Sequence, residues 1–280
     1  MYRSFPSAGE SAALASRARR VFAALFVCLG VAPSALAQSA GCQITYTKTR
    51  TVEVPRQTLR EKHIVSGFEP CSFTEAFKVL STLASHRLRE HHWTTLAVTS
   101  AGEGEGKTLV AINLAISLAM EYQQTSLLVE ADLRQPSMRD YFGLAPGPGL
   151  SDYLNSDVPV EQLLIHPGIA RLAVLPGGTP QVHSSEMLGW RKMTELVKEL
   201  KGRYASRLIV FDLPPLLAAA DVLAFAPHIE AALLVVEEGK TQRDDIQRAA
   251  ELLSSTHLIG AVLNKSDEPV VSVYGHPRAR

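Results

Sequence analysis

The chain has 280 residues, which is enough for one large domain or two domains of ordinary size. Its 28 basic residues balance its 28 acidic residues, so the overall charge argues against general binding of polyanions such as nucleic acids. Its three cysteines, Cys28, Cys42 and Cys71, have the spacing of neither a disulfide framework nor a metal site, which is typical of a reducing compartment.

Residues 1–45 have the pattern of a leader segment. A basic stretch precedes an apolar run at 21–31, and Ala35-Leu36-Ala37 follows, which is the layout of a secretory signal with its cleavage site. The apolar run is short for a membrane span, and Pro33 interrupts it. Four interpretations stay open, namely a cleaved signal, a membrane-inserted anchor, an unstructured basic leader, and a misassigned start codon.

Beyond a polar stretch at 46–69, which we predict to be an arm or linker, residues 70–268 alternate between helices and apolar strands. Helices are predicted at 74–91, 108–122, just after Pro136, 186–204, 218–226 and 244–255. Strands are predicted at 94–100, 126–131, 171–176, 207–212, 231–237 and 258–264. This alternation, with strands that are apolar throughout, predicts an α/β fold with a doubly wound, mostly parallel sheet between two helical layers. Residues 269–280 are predicted to be a flexible tail.

The stretch AGEGEGKT at 101–108 lies between a predicted strand and a predicted helix and has the Walker A spacing, with Ala101 in place of the first glycine. Glycines at alternate positions let backbone N–H groups converge on phosphate oxygens. Lys107 would reach the β- and γ-phosphates, and the Thr108 hydroxyl would bind Mg²⁺. The side chains of Glu103 and Glu105 need not face the phosphates. The predicted nucleotide-binding residues are Gly102, Glu103, Gly104, Glu105, Gly106, Lys107, Thr108, Leu109 and Asn264.

Two predicted strand ends supply carboxylates near this loop. Glu130 and Asp132 follow one strand, and Asp212 follows another. Because the carboxyl ends of parallel strands share one edge of a sheet, these acids are expected to flank the phosphates and their Mg²⁺. The alternative for any single acid at a strand end is a helix cap or a solvated turn.

Four stretches of the chain carry a family resemblance. They are AVTSAGEGEGKTLVAINLAISLA, LLVEADLRQPSMRDYFGL, PGLSDYLNSDVPVEQLL with IARLAVLPGG, and LIVFDLPPLLAAADVLAFAP, the last of which includes Asp221. In these stretches the chain, from about residue 46 to 267, resembles the bacterial tyrosine kinases of capsule and exopolysaccharide export, P-loop NTPases related to the ParA and MinD ATPases. Within that family it looks most similar to the autokinases of exosortase-linked exopolysaccharide clusters.

The resemblance implies a kinase that uses ATP and Mg²⁺ and transfers the γ-phosphoryl group to tyrosines, usually on its own C-terminal tail. It implies that Lys107 and Thr108 belong to Walker A, that Glu130 and Asp132 occupy the acid positions of the second Walker motif, and that Asp212 is the Walker B acid. The predicted catalytic residues are then Lys107, Glu130, Asp132 and Asp212. The predicted metal ligands are Thr108, Glu130 and Asp212.

The resemblance also implies partners and a location. The expected partners are a membrane polysaccharide co-polymerase, whose cytoplasmic segment completes the active site, and tyrosine-containing protein substrates. A homo-oligomer is possible in this family, and no nucleic-acid partner is expected. The expected location is the cytoplasm at the inner face of the plasma membrane, with which the signal-like leader conflicts.

The chain departs from the family pattern in three places. Glu130 stands where the family usually has aspartate, and its carboxylate reaches about 1.5 Å farther, which predicts reduced transfer. The tail contains only Tyr274, which is the candidate phosphoacceptor. In the oligomerisation helix that contains Glu75, Lys78 and Ser81 replace arginines, and lysine cannot supply the bidentate fork of arginine. Ring assembly is therefore in doubt.

Other functions stay open. Asn264-Lys265-x-Asp267 spells the guanine-binding tetrapeptide of GTPases, although ATP-dependent members of the resembled family commonly carry an Asn-Lys pair at this place. A ParA- or MinD-like ATPase is a second alternative, but residues 101–105 lack the additional lysine of that branch. A third is a regulator that binds ATP and docks on a co-polymerase without transferring phosphoryl groups.

Overall fold

An eight-stranded sheet forms the centre of the part of the chain that the computed structural model describes, namely residues 49–64, 71–121, 124–203 and 207–266. Its strands are β1 Arg50–Thr51, β2 Thr95–Ser100, β3 Thr125–Glu130, β4 Ile165–His166, β5 Leu172–Leu175, β6 Arg207–Asp212, β7 Ala231–Glu237 and β8 His257–Asn264. The order across the sheet is β1-β4-β5-β3-β6-β2-β7-β8, and all neighbours are parallel except β4 and β5. This arrangement confirms the predicted α/β fold class.

Helices cover both faces of the sheet. They are α1 Arg56–Glu61, α2 Ser72–Glu90, α3 Lys107–Met120, α4 Met138–Tyr141, α5 Leu150–Asn155, α6 Val160–Leu163, α7 Ser184–Leu188, α8 Arg191–Gly202, α9 Asp221–Phe225 and α10 Arg243–Leu252, with a 3₁₀ turn at Ala226–His228. The side chains of α2 and α3 form an apolar core with one face of the sheet, and those of α8, α9 and α10 form a second core with the other face. Helix α3 is apolar nearly all round and almost fully buried, which fixes the loop that precedes it.

Residues 49–64, within the predicted arm, join the folded structure. β1 pairs with β4 at one edge of the sheet, and Leu59 on α1 and the following Ile64 are buried. The side-chain amide of Asn113 on α3 donates a hydrogen bond to the carbonyl oxygen of His63 at 3.1 Å. The sequence shows no period in this segment because two apolar anchors, only one of them in a helix, are too few to define one.

The helix predicted at 186–204 is two helices, α7 and α8. Gly189 ends α7, and its N–H donates to the carbonyl oxygens of Ser185 and Glu186. Trp190 then has φ and ψ of −69° and 150°, which is an extended conformation, before α8 starts. The continuous prediction was wrong here because glycine costs little at a helix end and the apolar spacing continues on both sides of the break.

Helix α2 buries only part of its apolar side chains. Val79 and Leu83 are exposed, whereas Phe77, Ala84 and Leu88 are buried against α3 and the sheet. Small residues of α2, among them Ser81 and Ser85, complete the buried face.

Strand β8 differs from the other long strands of the sheet. It pairs with β7 on one side and forms the edge of the described sheet, and Leu258 and Leu263 are exposed. The apolar sequence of β8 predicted burial on both faces, but an edge strand is only partly covered.

The predicted leader at 1–45, the predicted tail at 269–280 and Asp267 lie outside the described residues. Within the ranges that the structure describes, no helix combines the length and the hydrophobicity needed to cross a bilayer.

Candidate functional site

The predicted phosphate loop lies between β2 and α3, at the carboxyl end of the sheet. Gly104 and Gly106 have φ angles of 74° and 92°, in the left-handed region that favours glycine. A Cβ atom at Gly106 would lie 2.2 Å from the side-chain nitrogen of Asn264. Position 106 therefore requires glycine both for its backbone conformation and for space.

The two acidic residues of this loop have different surroundings. Glu103 lines an open cleft together with Gly104 and Lys107. The carboxylate of Glu105 is buried behind the loop, where it accepts a hydrogen bond from the hydroxyl of Thr241 at 2.5 Å. For Glu105 this geometry agrees with the prediction that an acidic side chain in the loop need not face the phosphates, whereas Glu103 lies at the cleft.

Two more of the predicted nucleotide-binding residues, Asn264 and Leu109, contact other parts of the protein. The side-chain amide of Asn264 donates a hydrogen bond to the carbonyl oxygen of Glu105 at 2.8 Å. The side chain of Leu109 packs against the apolar core beneath α3.

Lys107, the first residue of α3, lies between two carboxylates. Its Nζ atom is 2.7 Å from Oδ2 of Asp132, 3.9 Å from Oδ1 of Asp212 and 3.3 Å from the hydroxyl of Thr108. Burial acts to lower the pKa of Lys107, but the charges of Asp212 and Asp132 outweigh it and leave the pKa above its ordinary value. The ammonium group is thus kept charged at the point where the loop meets the acidic strand ends.

Asp212 ends β6 and is fully buried. Among the described residues, neither of its carboxylate oxygens has a hydrogen-bond partner in normal geometry. Burial raises the pKa of Asp212 to about 6, and the charge of Lys107 and the nearby hydroxyl of Thr108 oppose this rise. The oxygens of Asp212 are therefore available to a ligand at the loop. The surrounding protein stabilises the negative charge of Asp212 less well than water does.

Glu130 ends β3, next to Asp212 in the sheet, but its carboxylate points to backbone amides. Its Oε1 atom accepts hydrogen bonds from the N–H groups of Ser137 at 2.5 Å and Met138 at 2.7 Å, and its Oε2 atom accepts one from Gly177 at 2.7 Å. Burial raises the pKa of Glu130 to about 7, although these amides act to lower it. The carboxylate therefore ties the start of α4 to the loop after β5.

The site opens into a cleft of about 730 Å³. Its walls are the phosphate loop, the segment 132–137 after β3, the segment 180–182, and the segments that contain Pro214, Pro215, Ala218 and Ala219 after β6. The cleft therefore lies at the carboxyl ends of the strands, at the point where the strand order of the sheet reverses. Ligand sites of doubly wound folds occupy this position.

The sequence interpretation did not single out Arg134, which lines this cleft. Its Nε atom donates a hydrogen bond at 3.1 Å to Oδ2 of Asp221, which is fully buried, and the hydroxyl of Ser184 donates to the other oxygen of Asp221. The resemblance included Asp221 without a role, and its burial and its ion pair with Arg134 became evident only in the structure.

The oxygens at this place fit a magnesium ion. Mg²⁺ is commonly held by one or two carboxylates together with substrate phosphates, and it prefers oxygen ligands. Asp212 offers two buried oxygens without hydrogen-bond partners, and Thr108 and Asp132 lie beside the same lysine. Across the described ranges, no cluster of three or more acidic, histidine or cysteine side chains forms an all-protein metal site.

The comparisons with known proteins agree with this geometry. The tyrosine-protein kinase YwqD of Bacillus subtilis is 30% identical over 224 residues, which cover 79% of this chain and 93% of YwqD. The succinoglycan biosynthesis transport protein ExoP of Rhizobium meliloti is 32% identical over 74% of this chain, which matches 27% of ExoP. The kinase domain of the Escherichia coli tyrosine kinase ETK is similar in structure, with a TM-score of 0.63 and 26% identity over 72% of this chain and 80% of that domain. No protein-family model matches the chain.

Proposed function

The chain belongs to the family of bacterial tyrosine-protein kinases, and on this premise we propose that it transfers the γ-phosphoryl group of ATP to tyrosine side chains in the control of exopolysaccharide or capsule synthesis. The observation that carries the proposal is the meeting of Lys107, Asp132 and Asp212 at the mouth of a glycine-rich loop. The name of ExoP, a transport protein of succinoglycan biosynthesis, supports the link to polysaccharides.

The residues divide the chemistry between them. The amides of the loop and the N-terminus of α3 bind the phosphates, and Lys107 exchanges its contact with Asp132 for phosphate oxygens. Asp212 and Thr108 would hold Mg²⁺, which would neutralise charge on the β- and γ-phosphates. The tyrosine oxygen forms a bond to the γ-phosphorus as the bond to the ADP oxygen breaks.

The tyrosine proton needs an acceptor close to the cleft. Asp132 lines the cleft, whereas Asp212 is fully buried behind it. Once Lys107 moves to the phosphates, Oδ2 of Asp132 is left without its 2.7 Å partner and can take the proton. Asp132 is therefore proposed as the general base.

A second candidate is an ATP-binding regulator with little or no transfer activity. One observation favours it. Both oxygens of Glu130, a predicted metal ligand and catalytic residue, accept hydrogen bonds from backbone amides and are not directed at Lys107. In this case ATP would change how the protein binds a membrane co-polymerase, and reduced activity would follow from Glu130.

The partners and the location remain proposals. A cytoplasmic segment of a membrane co-polymerase is proposed to complete the site, with the kinase at the inner face of the plasma membrane. Copies of the chain could also assemble through α2, but Glu75 there pairs with Lys78 of the same helix at 2.7 Å. Tyr274, which lies outside the described residues, is the proposed acceptor.

A labelling experiment tests the proposal. The protein is incubated with γ-labelled ATP and Mg²⁺, with and without the cytoplasmic segment of the co-polymerase, beside Lys107→Met and Tyr274→Phe. Label on tyrosine that disappears in Lys107→Met supports a kinase, and its loss in Tyr274→Phe identifies the acceptor. ATP binding without any label supports the regulator, and tighter binding of GTP than of ATP in a competition titration would favour the GTPase alternative.

A further inference from the structure

Three successive carbonyl groups of the phosphate loop each accept a hydrogen bond from a side chain at the ends of β7 and β8. Lys240 Nζ donates to the carbonyl oxygen of Glu103 at 2.9 Å, and Lys265 Nζ donates to that of Gly104 at 2.8 Å. Asn264 donates to the next carbonyl, that of Glu105, at 2.8 Å. Lys240 follows β7, Asn264 ends β8 and Lys265 follows it, so the donors reach the loop from the side opposite Asp132.

The peptide geometry links these outer contacts to the inner surface of the loop. In a planar trans peptide the C=O and the following N–H point in opposite directions. Holding the carbonyls of residues 103, 104 and 105 outward therefore turns the N–H groups of residues 104, 105 and 106 inward. These are the groups that a phosphate would contact. The left-handed Gly104 and Gly106 allow this alternation.

The donors are themselves held in place. Oε2 of Glu237, the last residue of β7, lies 3.2 Å from Lys240 Nζ and 3.0 Å from Lys265 Nζ. Lys265 has a φ of 56°, in a region that lysine rarely adopts. One carboxylate thus joins both lysines, and the local backbone directs Lys265 at the loop.

A second connection acts on the same loop through its buried acid. The hydroxyl of Thr241 donates to Oε1 of Glu105 and accepts a hydrogen bond from the N–H of Glu237 at 2.8 Å. Glu105 is almost fully buried, so its carboxylate serves the support of the loop and not the nucleotide. This contact gives the acidic residue in a phosphate-binding loop a physical function.

We infer that Lys240, Asn264 and Lys265 form a backbone clamp, which keeps the amides of the phosphate loop directed at the nucleotide and which Glu237 and Thr241 support. The inference rests on the proposed nucleotide binding. The clamp residues are positioning residues, because they touch the loop from outside. The clamp also gives the Asn264-Lys265 pair a role that does not involve recognition of guanine.

The test removes the two lysine donors. Lys240→Met, Lys265→Met and the double variant are compared with the matched Lys→Arg variants, which keep a donor of similar reach. Lys78→Met is the control, because Lys78 has 59% side-chain exposure, similar to 54% for Lys240 and 49% for Lys265, and pairs with Glu75 on α2. Thermal unfolding and circular dichroism verify that each variant is folded.

The first readout needs no nucleotide. Backbone ¹⁵N relaxation of Gly102, Gly104 and Gly106 is measured in the nucleotide-free protein. In the double variant the order parameter of Gly104 is expected to fall from about 0.85 towards about 0.6, while Lys78→Met leaves it unchanged. An unchanged order parameter in the double variant would overturn the clamp, whether or not the protein binds ATP.

The second readout is the dissociation constant of Mg·ATP. Since the lysines are half exposed, each Met substitution is expected to weaken binding by about threefold and the double variant by about tenfold, with the Arg variants within about twofold of wild type. A double variant that binds ATP as wild type does would refute the inference alone. Failure of wild type itself to bind ATP would refute the proposed function, and the relaxation result would still decide the clamp.

Discussion

Replacement of Asp212 by asparagine should stabilise the nucleotide-free protein while it abolishes phosphoryl transfer. The wild-type carboxylate is fully buried, and among the described residues its oxygens have no hydrogen-bond partner. Burial raises its pKa to about 6, which means that the folded protein holds the charged form less well than the unfolded chain does. Asparagine has nearly the same shape and carries no charge.

The magnitude follows from the pKa. The gap between about 6 in the folded protein and the ordinary value of 3.8 corresponds to about 3 kcal/mol, at about 1.4 kcal/mol for each pH unit. For an acid with a raised pKa, the stability is fully present below pH 3.8 and is lost as the pH rises towards 6 and above. The variant lacks this loss, so at pH 7.5 it should exceed wild type by up to about 3 kcal/mol, or about 6–12 °C in Tm.

The assay is urea unfolding of both proteins without nucleotide between pH 4 and pH 8. The difference in the free energy of unfolding should be small at pH 4, should grow as the pH rises to about 6, and should level off above that pH. Saturating Mg·ATP should then stabilise wild type, by about 2.7 kcal/mol at 100 times Kd, but not the variant. A variant that is less stable than wild type, or a difference that does not change with pH, would refute the reasoning.

Three further predictions concern the same site. Gly106→Ala should weaken Mg·ATP binding at least about tenfold in a titration. A Cβ atom at this position would lie 2.2 Å from the side chain of Asn264, and the residue has a φ of 92°. Binding equal to wild type would contradict this prediction. Glu130→Asp, although it restores the usual family residue, should lower Tm and the rate of labelling. The aspartate side chain is about 1.5 Å shorter, so its carboxylate withdraws from the backbone amides that Glu130 contacts. Faster labelling would show instead that Glu130 limits catalysis. Arg134→Met should destabilise the protein by about 2 kcal/mol in urea unfolding, because Asp221 stays buried with Ser184 as its remaining donor. The control is Arg191→Met, which removes an exposed ion pair with Glu195. Equal stability of the two variants would refute the argument.

The features that the sequence predicted well are those written in local order. The Walker A spacing from Ala101 to Thr108 predicts a strand, a phosphate-binding loop and a helix in succession, and the structure has all three. The apolar strands of the sheet interior were predicted from hydrophobicity alone because both of their faces are covered. The acids at the ends of β3 and β6 lie close together because parallel strands end at one edge, which requires no knowledge of side-chain direction.

The features that the sequence did not reveal depend on direction and on distant partners. Glu130 and Asp132 are two residues apart in sequence. Glu130 accepts hydrogen bonds from backbone amides, whereas Asp132 contacts Lys107, because the chain leaves the sheet between them. No local pattern says that Lys240 lies over Glu103. The exposure of Leu263 likewise follows from the place of β8 at the sheet edge, which is a property of the whole topology.

The strand order also determines when in folding the site can form. β2 and β3 follow one another along the chain, but β6 lies between them in the sheet. The loop after β2 and Asp132 after β3 therefore gain their common neighbour Asp212 only when residues 207–212 insert into a gap between two strands made much earlier. Such an insertion is a contact of long sequence separation, and these contacts slow folding. During synthesis, a chain that ends before Arg207 carries the whole phosphate loop and still has no complete catalytic centre.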